Sequence, residues 1–228
     1  MSWMERYLLA ITGRRFAPRP LRLLEAIWCY TSYPDARIWN NRVSALAGTT
    51  RSTGNLGLSA ALALSEADIY GLGPCVRAIE FLIRTRAELA GGGELAACLR
   101  RERSQGRTLG GYGRPLCAAD ERIAPTVDLA RSLGLAGGPH LALAYAVEAL
   151  LIAERPALRM NYGALIAALA ADLGLTSHEH HLFLIPLFLA GMAPCYLEAA
   201  AHPAGAFLPL PCHGVAYRGA PRRTWGPA

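Results

Sequence analysis

An all-α fold is predicted by three features of this sequence. Apolar residues recur at three- and four-residue spacing in nearly every segment, as in Leu21, Leu24, Ile27 and Trp28. Strand-like alternation is nearly absent. Clusters of Gly, Pro, Ser and Asn at residues 17–20, 33–35, 49–55, 71–74, 91–93, 105–115, 137–139 and 174–177 cut the chain into about nine pieces of helical length.

Two helices are sharply delimited. One, over 59–69, follows a Gly/Ser/Thr-rich loop; the other, over 162–173, follows Asn161, a competent N-cap. The stretch 182–197 carries no charged residue or histidine but contains Pro186 and Pro194, so it is short and interrupted for a membrane span and reads as a buried helix. From His202 onward, Pro203, Pro209, Pro211, Pro221 and Pro227 exclude regular helix, and this tail is expected to cross the surface or a partner subunit.

A chain of 228 residues can bury a sizeable core, as one domain or as a large domain carrying a smaller one. All 23 basic side chains are arginine, in a composition rich in Ala, Gly and Pro of the kind a GC-rich genome produces. The net charge of +6 is spread along the chain without a nucleic-acid-binding signature, which favours a small anionic ligand over nucleic acid. No signal peptide is visible and the six cysteines form no CxxC, so a cytoplasmic protein with small, buried, reduced cysteines is expected. His178, Glu179, His180 and His181 are consecutive and cannot all converge on one ion, so no metal is expected.

Residues 109–122, LGGYGRPLCAADER, resemble the G-F/Y-G-H-x-x-x-x-x-D-P-R signature of citrate synthases and citryl-CoA lyases. The resemblance extends over nearly the whole chain. LAITGR (9–14) is similar to that family's L-x-L-T-G-R, RVSALAG (42–48) to R-V-x-A-S-T-G, the stretch 124–175 to the segment ending N-V-D-G-A-I-A-A-x-x-x-D-L-G, and GMAPCYLEA to G-L-I-A-H-x-L-E-E. Residues 215–221 resemble the closing tail. The resemblance implies a large helical domain of residues 1–71 and 176–228, a smaller helical domain of 72–175 inserted in it, and a cleft between them. It also implies a homodimer, or a heterodimer with a related subunit, joined by apolar helices such as 56–64.

The resemblance also shows what is missing. Arg114 stands where the family has a histidine, Gly163 where it has the catalytic aspartate, and its first histidine falls on Tyr70 or Pro74, since no histidine precedes His140. Phe188 takes the place of an arginine. Arginine can clamp an anion but stays protonated and is no base, so ordinary citrate synthase turnover is not expected.

By the same resemblance Arg122 binds a substrate carboxylate, the alternative being an ion pair with Asp120 or Glu121, and Gly111, Tyr112 and Gly113 approach CoA or an acyl-CoA substrate. Arg114 either replaces the histidine as an electrophilic group or caps its loop. Asp68 and Tyr70 are a candidate acid–base pair, or local hydrogen-bonding groups. Arg42, Arg51 and Asn41 offer donors to a carboxylate, or cap helices, and Asn161 matches a family position at the site. Cys75 and Cys117 flank the substituted positions and are candidate nucleophiles, or inert buried thiols. Three functions follow: a Claisen- or aldol-type enzyme with a rebuilt site, a non-catalytic binding paralogue of an active subunit, and an enzyme of other chemistry, such as cyclisation or isomerisation, in the same cleft.

Overall fold

The computed structural model describes residues 1–31, 33–104, 109–114, 119–206 and 219. Among these are ten helices: α1 (Trp3–Thr12), α2 (Pro18–Thr31), α3 (Trp39–Thr49), α4 (Gly54–Leu64), α5 (Leu72–Ala90), α6 (Leu95–Ser104), α7 (Ile123–Ser132), α8 (Pro139–Glu154), α9 (Tyr162–Asp172) and α10 (Ser177–Ala201). The only strand-like pairing among the described residues is an isolated antiparallel bridge between Tyr112 and Met160. The count exceeds nine because α8 and α9 are separate helices, with Pro156 just beyond the end of α8.

α9 lies at the centre of the main core, with Tyr162 and every residue from Ala164 to Ala171 buried. Its alanines let α5 and α8 approach closely, and Asn161 caps it as expected, accepting from the Gly163 amide at 2.9 Å. At its far end Asp172 caps α8, accepting from the His140 and Leu141 amides at 2.8 and 2.9 Å. A short acceptor at that helix N-terminus satisfies donors that have no partner within α8.

The expected helix 59–69 is displaced. α4 begins at Gly54 because Thr53 accepts from the Leu56 amide, and it ends before the buried Ser65, whose hydroxyl bonds Ala61 and Asn40. Glycine marks close packing here: a Cβ on Gly57 would lie 2.6 Å from that of Ala47 in α3. The other face of α4 presents Leu56 and Leu64 to solvent.

α10 runs through both prolines. Pro186 cannot donate to the Leu182 carbonyl, and that acceptor is taken instead by the Tyr7 hydroxyl of α1 at 2.6 Å. Trp28 of α2 donates to the next carbonyl, Phe183, at 3.0 Å. α10 has the length and hydropathy to cross a membrane, but it packs against α1 to α5, with Phe183, Leu184, Leu187, Met192 and Cys195 buried. It is buried on one side only, since Leu197 is 65% exposed. The proline-rich tail lies almost wholly outside the described residues. Of the cysteines, Cys98 and Cys195 are buried, Cys75 is half-buried and Cys29 is exposed, contrary to expectation, while Cys117 and Cys212 lie outside the described residues.

The 178–181 cluster diverges in space. Glu179 forms a capping box with Thr176 and pairs with Arg14 at 2.9 Å, and His181 bonds Glu66 at 2.7 Å. His180 is fully buried and neither ring nitrogen has a partner among the described residues; burial, with the neighbouring His181, pushes its pKa down to about 3. The native state therefore holds this ring neutral, whereas the unfolded chain protonates it near 6.5, so native stability falls as pH drops from 6.5 toward 3. His180→Leu should stabilise the protein by about 1–3 kcal/mol at pH 7.5 and by about 2–3 kcal/mol more at pH 4.5. Urea unfolding at the two pH values checks this; equal effects at both would show that His180 is not held neutral.

Candidate active site

Residues 109–114 form a glycine loop pressed between α5 and α9. A Cβ on Gly110 would lie 2.2 Å from the Pro74 carbonyl oxygen, and one on Gly111, at φ +84°, 2.5 Å from that of Ala164. Only glycine fits at Gly111, where both conformation and space exclude a side chain. The loop pairs with residues 159–161: the Gly113 amide donates to Arg159, the Asn161 amide to Gly111, and the Asn161 side chain to the Gly113 carbonyl at 2.7 Å. Asn161 thus uses both ends of its amide on backbone. Tyr112 is buried and donates to the Ala144 carbonyl at 3.0 Å, so its phenol serves the core and not a cofactor.

Below the loop lies Asp120, its side chain without exposed surface. Arg122 donates to it twice, from Nε and Nη2, both at 2.8 Å, and the Tyr162 amide donates at 3.0 Å. Burial alone would raise the Asp120 pKa, but the hydrogen bonds and charge of Arg122 and the backbone amides outweigh it and hold the carboxyl below its usual range. The Arg122 guanidinium also sits 4.6 Å from the centre of the Tyr162 ring. Burial pushes the Tyr162 phenol up to about 12, and its oxygen lies 3.0 Å from that of Thr126.

These residues line a cleft of about 300 Å³. Arg122, Arg114, Tyr70, Gly111, Tyr112, Gly113 and Asn161 all reach it. So do Gly163 and both Tyr70 and Pro74, the three positions on which the missing aspartate and first histidine fall. No histidine lines it among the described residues.

Four predicted residues lie elsewhere. Asn41 is buried and donates to the Tyr33 and Asp35 carbonyls, holding the turn before α3. Arg51, at φ +62°, donates to the Ala200 and His202 carbonyls at the C-terminal end of α10, where a cation suits the unpaired carbonyls. Arg42 is exposed and outside the cleft. Asp68 is largely exposed and pairs with Arg77 at 2.5 Å, so it forms no acid–base pair with Tyr70 in the cleft. Arg114 lines the cleft and fastens its loop, donating to Glu121 at 3.0 Å and to the Ala119 carbonyl at 3.1 Å, the capping role of its two alternatives. For Arg122 likewise, the ion pair with Asp120 exists beside the cleft position.

Sequence reasoning missed Asp120 as the anchor and the apolar wall formed by Leu184, Leu187 and Phe188. The latter was signalled by their three- and four-residue spacing on one face of α10.

No family model and no curated protein sequence matches the chain. Solved structures do, and they define the class as the all-α fold of citrate synthases and citryl-CoA lyases. Citryl-CoA lyase from Hydrogenobacter thermophilus is 20% identical with a TM-score of 0.83, covering 99% of this chain and 87% of the lyase. Citrate synthase from Thermoplasma acidophilum, in a ternary complex with carboxymethyl coenzyme A and oxaloacetate, is 17% identical with a TM-score of 0.75, over 99% of this chain and 59% of the synthase. ATP citrate lyase from Methanothrix soehngenii, in complex with citrate and coenzyme A, is 16% identical with a TM-score of 0.74, over 97% and 38%. The chain thus spans most of the small lyase and under two thirds of the two larger proteins. Likeness at this identity establishes the fold.

Cys75, in the first turn of α5, also lines the cleft; a Cβ placed on Gly163 would lie 3.5 Å from its sulfur. Burial pushes its thiol up to about 11, although Arg122 and Arg77 pull the other way. At neutral pH it is therefore a protonated thiol and a poor nucleophile. Iodoacetamide at pH 7.5 should label exposed Cys29 at least about tenfold faster than Cys75, with the Cys75 rate climbing above pH 9. Peptide mass spectrometry measures both, and equal rates at pH 7.5 would show that Cys75 is not shielded.

Proposed function

We propose that the cleft binds a small carboxylate-bearing substrate through Arg122 and that the protein makes or breaks a carbon–carbon bond, in a Claisen- or aldol-type reaction, on a CoA-linked substrate. The observation that carries this reading is the Arg122 guanidinium in the cleft wall. Asp120 takes its Nε and one hydrogen of Nη2, which leaves the Nη1 edge for a ligand. Support for the CoA part comes from the glycine loop's place in the cleft lining and from the similar proteins solved with coenzyme A or its derivatives.

In this reading Arg122 holds the carboxylate and Arg114 supplies positive charge where an oxyanion develops. Proton transfer falls to Tyr70, 48% exposed at the cleft rim, because Asp120 is committed to Arg122. That commitment also favours a second reading, a binding protein without turnover, since no other carboxylate lines the cleft among the described residues. Both readings place the protein in the cytoplasm as a homodimer, or as a heterodimer with a related subunit, joined through the exposed Leu56 and Leu64 face of α4.

The structure changes what an Arg122 substitution should do. Arg122→Ala leaves the Asp120 carboxylate buried without its partner and costs about 3–5 kcal/mol, whereas Arg122→Lys keeps the charge and loses the fork. Free CoA released from acetyl-CoA, with and without a 2-oxo acid, measures turnover, and calorimetry with the 2-oxo acid measures binding. We expect release that requires the 2-oxo acid, and at least about tenfold weaker binding in folded Arg122→Lys. Binding without release would select the second reading, and unchanged affinity in Arg122→Lys would remove Arg122 as the clamp. Light scattering on the same samples should give a dimer.

A further inference from the structure

Among the described residues, the charged side chains that line the cleft come from one stretch of the chain. Arg114, Asp120 and Arg122 all come from the segment leading into α7, and the two guanidiniums are the positive groups in the lining, Arg122 paired with Asp120 and Arg114 with Glu121. Glu121, which pairs with Arg114, is 75% exposed on its side chain and lies outside the lining.

The apolar wall of the cleft is built by Trp39, Ile69, Tyr70, Leu184, Leu187 and Phe188, from α3, the turn before α5, and α10. Leu184 and Leu187 are 1% exposed, so they form a fixed floor, while Trp39 and Tyr70 face each other with ring centres 6.4 Å apart at its rim. Among the described residues, no charged side chain from these elements lines the cleft, and the nearby acids in sequence are paired, Asp68 with Arg77 and Asp35 with Arg37. A second carboxylate pushed against this wall would lose its water and find no cation among the described residues that line it, whereas an apolar body would gain by losing water there.

Resting on the reading of Arg122 as a carboxylate clamp, we infer that the substrate is a monocarboxylate with an apolar, aromatic or branched body, held head to Arg122 and tail to the α10 wall, and not a polycarboxylate. The cleft volume of about 300 Å³ suits a short acid of this kind. Phe188 is the specificity-determining position, because it is only partly buried on that wall, and a longer polar side chain there can reach the cleft where one at Leu184 or Leu187 cannot.

Calorimetry on the full chain with phenylpyruvate, oxaloacetate and citrate tests this. Phenylpyruvate should bind at least about tenfold tighter than either polycarboxylate, a difference set by one uncompensated charge. Phe188→Arg, checked for folding by circular dichroism, should shrink or invert that ratio. Oxaloacetate or citrate binding the unaltered protein as tightly as phenylpyruvate would overturn the inference while leaving the clamp in place. If none of the three binds, or if binding is unchanged in Arg122→Lys, the carboxylate reading itself falls and takes this inference with it. The ratio in the unaltered protein decides the matter even if Phe188→Arg does not fold.

Discussion

The Asp120 carboxylate accepts two hydrogen bonds from the Arg122 side chain and one from the Tyr162 amide, with no exposed surface of its own. Through these bonds it joins the segment before α7 to the first turn of α9, the most buried helix of the fold. Arg122 is thereby fixed over the Tyr162 ring at the cleft wall, and the Asn161 cap holds the glycine loop on the other side of the same turn. A flexible arginine becomes a preorganised donor because its rotamers are already fixed before any ligand arrives.

This arrangement also limits the chemistry. A carboxylate shared between a guanidinium and a backbone amide, with its pKa held low, is a poor proton acceptor. The fold of citrate synthases and citryl-CoA lyases is therefore kept around a cleft whose charged lining, among the described residues, is Arg114, Arg122 and Asp120, with Arg114 paired to Glu121 outside it. Fold alone does not set the reaction, and here the groups lining the cleft narrow it more than the architecture does.

Much of the fold was legible in the sequence because it rests on local signals: helical periodicity, and the cap at Asn161. The start of α4 was not, because Gly54 and Gly57 read as loop residues, while the real role of Gly57, close contact with α3, depends on tertiary packing. Residues 182–197 are helical as read, despite Pro186, but what satisfies the carbonyl that Pro186 leaves unpaired, Tyr7, is far away in sequence and was not legible. At the site, the glycine loop, Arg114 and Arg122, singled out by resemblance, share one cleft. Resemblance could not show that Asn41 and Arg51 serve backbone carbonyls, or that Asp68 turns to Arg77, because short-range polar residues choose partners that only the folded chain supplies.

The dependence of this site on one buried carboxylate is tested most directly by Asp120→Asn, which preserves size and removes charge. Chemical denaturation of the two proteins at pH 7.5 should show a loss of about 3–5 kcal/mol, the usual consequence of stripping one partner from a buried ion pair. A loss under about 1 kcal/mol would contradict the account, because Arg122, the glycine loop and α9 would then be held together by something other than Asp120.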